Sequence, residues 1–124
     1  MGIDAIDHYT ILANDVDASR DFYVDVLGLR DGERPPFDFP GAWLYVGDVP
    51  TVHLVGGRSK GATDTGSIDH VAFRGSGLSA MRERLTAADV DFRERTVPGF
   101  GLTLLFVTDP DGVTVEINFK AGDT

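Results

Sequence analysis

The chain is predicted to fold as an α+β protein of two tandem βαβββ modules. Three observations predict it. The tripeptide Ile6-Asp7-His8 recurs 62 residues later as Ile68-Asp69-His70, and self-similarity at a fixed period marks a duplicated structural unit. Each copy opens a strand-like run and is followed by apolar residues at 3–4 spacing, the helical signature. After each helix come three more strand-like runs, punctuated by Pro, Gly and Asp. The modules span about 4–56 and 66–120, and the polar, Gly-rich stretch 57–65 is the linker. A module of about 60 residues with one helix buries too little surface to stand alone, so the two are expected to pair as one domain, 1–124, or across a dimer.

In the first module the opening strand covers 6–12. Asp15 or Asp17 can cap the helix, Phe22, Tyr23, Val26 and Leu27 form its apolar stripe, and Gly28 supplies a left-handed stop. Strands at 29–33, 42–46 and 51–55 follow, separated by Pro35-Pro36 and Pro40-Gly41. The second module repeats the plan with a strand at 68–74 and a helix opened by Ser76 or Gly77. That helix carries Leu78, Met81, Leu85 and Ala88 and ends near Asp89, before strands at 90–95, 102–107 and 113–119. Pro98-Gly99 and Asp109-Pro110-Asp111-Gly112 make its turns.

Composition narrows the function. The 124 residues are 42% hydrophobic and 25% charged, an ordinary globular balance. Cys is absent, which excludes disulfides, thiolate metal sites and cysteine nucleophiles. A net charge of −9 argues against nucleic acid or an anionic membrane as partner. No apolar run reaches the ~20 residues that span a bilayer, and no basic-then-apolar leader opens the chain; a cytoplasmic location is expected.

Alternation assigns side chains to sheet faces. In the last strand Val113, Val115, Ile117 and Phe119 oppose Thr114, Glu116 and Asn118; in the fourth, Val52 and Leu54 oppose Thr51, His53 and Val55. The faces away from the helices collect all three histidines, His8, His53 and His70, each expected in mid-strand, together with Glu116. His53 and Glu116 are themselves repeat-equivalent, since Thr51-Val52-His53-Leu54 aligns with Thr114-Val115-Glu116-Ile117. Taken singly, a strand histidine is usually a hydrogen-bonded structural residue and a strand glutamate a solvated one. Four such groups at two equivalent positions in both modules point instead to one metal site. Three imidazoles and a carboxylate suit divalent Fe, Ni, Co, Mn or Zn rather than Mg or Ca, which prefer oxygen ligands.

The pattern resembles the vicinal oxygen chelate superfamily of glyoxalases, bleomycin-resistance proteins and extradiol dioxygenases. The resemblance rests on Asp21-Phe22-Tyr23-Val24-Asp25-Val26-Leu27-Gly28-Leu29, on Ile68-Asp69-His70-Val71-Ala72-Phe73 and on the segment from Thr108 to Ile117, and covers essentially the whole chain. It implies two modules curled into a cup around a divalent metal, helices outside, and a homodimer. It carries ligand roles onto His8, His70 and Glu116. At the fourth-strand position this chain has His53, where glyoxalase I has Glu and methylmalonyl-CoA epimerase Gln.

Two chemistries follow. With His53 as a fourth ligand, an octahedral ion keeps two open positions for a small substrate that chelates through adjacent oxygens, and Lewis-acid polarisation supports lyase or isomerase chemistry. Only Glu116 then remains to serve as base while also binding. With His53 off the metal, His8, His70 and Glu116 form a facial triad suited to Fe(II) and ring-cleaving dioxygenation, and His53 becomes an acid–base group. A metal-free drug-binding protein is the non-enzymatic alternative. Phe37, Phe39, Trp43, Tyr45 and Phe100, in and beside the Pro/Gly-rich turns, are the candidate substrate pocket; closing the core or a dimer interface is their other reading. Arg74 and Arg95 are read as solvated, with pairing to a substrate carboxylate as the alternative. No cationic cluster stands out along the chain to recommend an anionic thiol cosubstrate.

Overall fold

Each half of the chain builds a four-stranded sheet with the same strand order. A computed structural model describes residue 2 and residues 5–57, 65–66 and 68–124, and the chain divides into two compact units, 1–62 and 63–124. Of the linker, 58–64 lie outside the described residues. In the first unit β1 (Tyr9–Leu12), β2 (Arg30–Gly32), β3 (Gly41–Val46) and β4 (Val49–Val55) assemble in the order β1-β4-β3-β2, with β1 parallel to β4. In the second, β5 (Val71–Arg74), β6 (Arg93–Val97), β7 (Leu102–Thr108) and β8 (Thr114–Phe119) assemble as β5-β8-β7-β6, with β5 parallel to β8. The duplicated sequence is thus a duplicated topology.

Helix α1 (Val16–Asp21) starts where expected. Asp15 is extended, and its carboxylate accepts from the Ala18 N–H at 3.1 Å, satisfying a donor that the first turn leaves open. The helix then widens into a π turn, Phe22–Val26, with Leu27 N–H bonded to Phe22 O. The exit explains it: Gly28, at φ 87°, turns the chain so that Leu29 N–H reaches Tyr23 O. Helix α2 (Leu78–Ala87) is capped from a distance. Neither Ser76 nor Gly77 supplies a side-chain cap; Asp123 accepts from the N–H groups of Gly77 and Leu78 at 2.8 and 3.2 Å.

Three strands start three residues later than expected. β1 and β5 begin at Tyr9 and Val71, so His8 and His70 stand just ahead of their strands rather than in the middle. Each of those histidine rings is bonded instead to the carboxylate before it. β6 begins at Arg93 and not at 90, because Val90 N–H still closes onto Leu85 O and Asp89 adopts φ 57°. Those residues belong to the helix exit.

Alternation along the strands separates core from site. In the first unit Ala42, Leu44, Val52 and Leu54 are buried with Tyr23, Val26 and Leu27. In the second Leu105, Val107, Val115, Ile117 and Phe119 are buried with Leu78 and Leu85. The intervening residues Trp43, His53 and Glu116 lie on the other faces, half-buried. β8 is aimed by the turn before it: Asp109 is buried, and its Oδ1 accepts from the N–H groups of Asp111 and Val113, both at 2.8 Å. Among the described residues, no helix is long and apolar enough to cross a membrane.

Candidate metal centre

The parallel pairing of β1 with β4 sets Thr10 opposite His53, which draws His8 alongside the same strand. The His8 and His53 rings stack with centroids 3.8 Å apart and planes within 13°. Trp43, the register partner of His53 on β3, stacks on the other side at 4.1 Å. His53 is therefore clamped between two rings. Its Nε2 lies 3.1 Å from Pro50 O; a carbonyl only accepts, so Nε2 carries the hydrogen and Nδ1 keeps the lone pair. Burial, and next the neighbouring His8, push its pKa below the ordinary histidine range, so the ring is neutral at neutral pH.

His8 is held differently. Its Nδ1 lies 2.7 Å from Asp7 Oδ2. The carboxylate accepts, so Nδ1 donates and the Nε2 lone pair is left open, the arrangement that orients imidazole ligands of metals. The second unit repeats it: His70 Nδ1 donates to Asp69 Oδ2 at 2.9 Å. His70 Nε2 then faces Glu116 Oε1 at 3.4 Å. Glu116 sits opposite Ala72 on the parallel β5–β8 pair, its side chain 12% exposed. Two lone-pair atoms at that separation repel unless a proton or a cation lies between them, so His70 and Glu116 fit the donor set of a borderline divalent ion.

Stacking limits what His8 and His53 can do together. Imidazole lone pairs lie in the ring plane, and those of two nearly parallel rings with centroids 3.8 Å apart do not converge on one ion. As arranged, the pair presents one ligand, and His8 is the member with a carboxylate behind it. Among the described residues, neither unit gathers three His, Asp or Glu side chains into a metal-holding group by itself; each brings together two of the four expected positions.

Asp7 and Asp69 are functional candidates that pattern reading passed over. Their signal was present, since the repeated unit is Ile-Asp-His and not histidine alone. Asp69→Asn is expected to lower affinity for a divalent ion roughly 10–100-fold, the usual loss when the partner of a ligating histidine is removed. The thermal midpoint of the metal-free protein should not move, because Asp69 is exposed. Calorimetric titration with Zn²⁺ or Ni²⁺ measures the first quantity and circular dichroism the second.

The aromatic candidates divide. Phe37 and Phe39 stack at 5.0 Å, and Phe37 lies 6.4 Å from Trp43, which extends the Trp43–His53–His8 stack to the turn before β3. Tyr45 has another role: its hydroxyl donates to Glu33 O at 2.6 Å while Arg30 lies over its ring, fastening β2 to β3. Phe100 sits in the β6–β7 turn of the second unit and is 76% exposed.

Known proteins share the fold and part of the sequence. The family model described as Glyoxalase/Bleomycin resistance protein/Dioxygenase superfamily matches residues 5–117. "Glyoxylase I 4" of Arabidopsis thaliana is 28% identical, over 94% of this chain and 71% of its own length. "Probable lactoylglutathione lyase" of Vibrio parahaemolyticus is also 28% identical, over 89% of this chain and 86% of its own. The crystal structure of a glyoxylase/bleomycin resistance protein/dioxygenase domain from Frankia sp. EAN1pec superposes with a TM-score of 0.77 at 22% identity, over 96% of this chain and 99% of that one.

Proposed function

The chain belongs to the Glyoxalase/Bleomycin resistance protein/Dioxygenase superfamily, and on that premise we propose that it is a divalent-metal-dependent enzyme of lyase or isomerase type. Its substrate is a small molecule that chelates the ion through two adjacent oxygens. The observation that carries this reading is the repeated carboxylate–histidine pair, Asp7–His8 and Asp69–His70, the second of which meets Glu116. His8, His70 and Glu116 are the ligands in this proposal. Relatives named as a glyoxylase I and a lactoylglutathione lyase support the lyase class.

When bound, the ion supplies Lewis-acid polarisation of the substrate oxygens. The protein supplies the rest. Asp7 and Asp69 keep the hydrogen of each imidazole on Nδ1, so Nε2 faces outward as a donor of electrons. His53 holds its hydrogen on Nε2 against Pro50 O and offers Nδ1 to a proton leaving the substrate. That relieves Glu116 of acting as base and ligand at once. Trp43 covers one face of the His53 ring, and Phe37 lies beside Trp43, so that face of the base is apolar.

A second reading has its own observation. His53 stacks on His8 instead of converging with it, and this favours a reading in which His53 is off the ion and His8, His70 and Glu116 are the three ligands of a set suited to Fe(II) and O₂. Metal analysis of the purified protein, with assays on α-keto hemithioacetals, acyl-CoA epimers and catechols in an oxygen electrode, separates the two. We expect a stoichiometric divalent ion and turnover without oxygen uptake. Oxygen consumption with a catechol would transfer the assignment to ring cleavage. A protein with no stoichiometric ion, and no thermal shift on adding one, would be a metal-free binding protein.

A further inference from the structure

Strand β6 sorts its charges between the two faces of its sheet. Glu94 takes a bidentate pair from Arg82 of α2, at 2.6 and 2.7 Å. Its neighbours Arg93 and Arg95 face the other way, and Arg93 lies over the Phe106 ring at 4.9 Å. Strand register carries both across the sheet. Arg93, Phe106, Glu116 and Ala72 form one row; Arg95, Leu104, Asn118 and Arg74 form the next.

Three guanidiniums thus share the face of Glu116, and among the described residues Arg74, Arg93 and Arg95 make no ion pair. Glu116 is the one carboxylate that β5 to β8 place on this face, in a chain of 20 acidic residues. Between Arg95 and Arg74 stands Asn118, whose Oδ1 is buried and meets no donor among the described residues. Buried polar atoms are ordinarily hydrogen-bonded, so an open amide acceptor between two guanidiniums is a polar group still in want of a donor.

We propose that this row is an oxyanion subsite: Arg74 and Arg95 hold a carboxylate or phosphate of the substrate, and Asn118 Oδ1 accepts from a hydroxyl or N–H beside it. The proposal rests on the reading that Glu116 and His70 hold the ion. It then defines the substrate class. Two residues along a strand is roughly 7 Å, so the substrate carries its chelating oxygens at one end and an anionic group about 7 Å away. Arg74 and Arg95 stand far apart along the chain and form no cluster there; pairing through β7 and β8 puts them in one row.

The test uses the full chain without added metal, titrated by calorimetry with sodium malonate, inorganic phosphate and, as an uncharged control, malonamide. We expect saturable binding of at least one anion and none of malonamide, the preferred anion distinguishing carboxylate from phosphate. Arg74→Gln and Arg95→Gln should each weaken that anion about tenfold or more, the range for a lost charge-assisted hydrogen bond. Arg84→Gln, on α2, should not. Equal binding of malonamide, no anion binding by the parent protein, or anion affinity unchanged in both variants overturns the subsite. Metal stoichiometry is measured separately on the same preparations, so failure of the metal reading appears as a parent protein that binds anion but no ion.

Discussion

Glu116→Ala is expected to empty the centre and abolish turnover. The Glu116 side chain is 12% exposed, and its Oε1 stands 3.4 Å from His70 Nε2. Removing it leaves two imidazoles, His8 and His70, and no negative charge among the ligands to balance a dication. Removing even a group that only orients a ligand costs roughly 10–100-fold in metal affinity or activity, so the loss of a ligand should exceed about 100-fold in both. Stability should follow a different course. Val115 and Ile117, on either side, carry the core contacts, while Glu116 points away from them. Compared as metal-free proteins, parent and variant should unfold within about 0.5 kcal/mol of each other. The comparison must be metal-free because a bound ion stabilises only the folded parent. Full metal occupancy in the variant would remove Glu116 from the ligand set.

Phe119→Ala is expected to cost about 3–5 kcal/mol, the range for truncating a buried aromatic ring. Phe119 is fully buried at the end of β8. Its ring lies so close to Gly75 that a Cβ there would come within 3.0 Å of it, and within 2.7 Å of Ile117. Backbone on one side and sheet on the other leave little room to collapse around the void. Against a total stability of roughly 5–15 kcal/mol for a protein of ordinary size, this loss is a large fraction. Urea denaturation of the metal-free proteins should show a lower midpoint with an unchanged slope. A loss under about 1 kcal/mol would mean that the ring is not part of a packed core.

These two residues also show how far the sequence could be read. Phe119 and Glu116 were assigned to opposite faces of one strand by alternation alone, and the burial of Phe119 agrees. The duplicated plan was legible because Ile-Asp-His recurs and because strand and helix periods are local properties. Boundaries were less legible. Whether residue 90 starts β6 depends on Leu85 O and on the left-handed Asp89, and the cap of α2 comes from Asp123 near the chain's end. Neither relation leaves a mark within the window in which a period is recognised. The aromatic residues were legible as a group but not as roles: Tyr45 and Trp43 share a face of β3, yet one latches β2 and the other clamps His53.

By itself, then, the sequence determined the two βαβββ modules, the inward and outward faces of their strands, and which residues are the candidate ligands. Hydrophobic periodicity and side-chain type suffice for each of these. Only tertiary structure decided which imidazole nitrogen is open, that His53 is stacked instead of converging with His8, and that Arg74, Asn118 and Arg95 stand in one row. Those features depend on register between strands distant in the chain and on the direction each side chain takes once its neighbours are packed, and neither is encoded in local spacing.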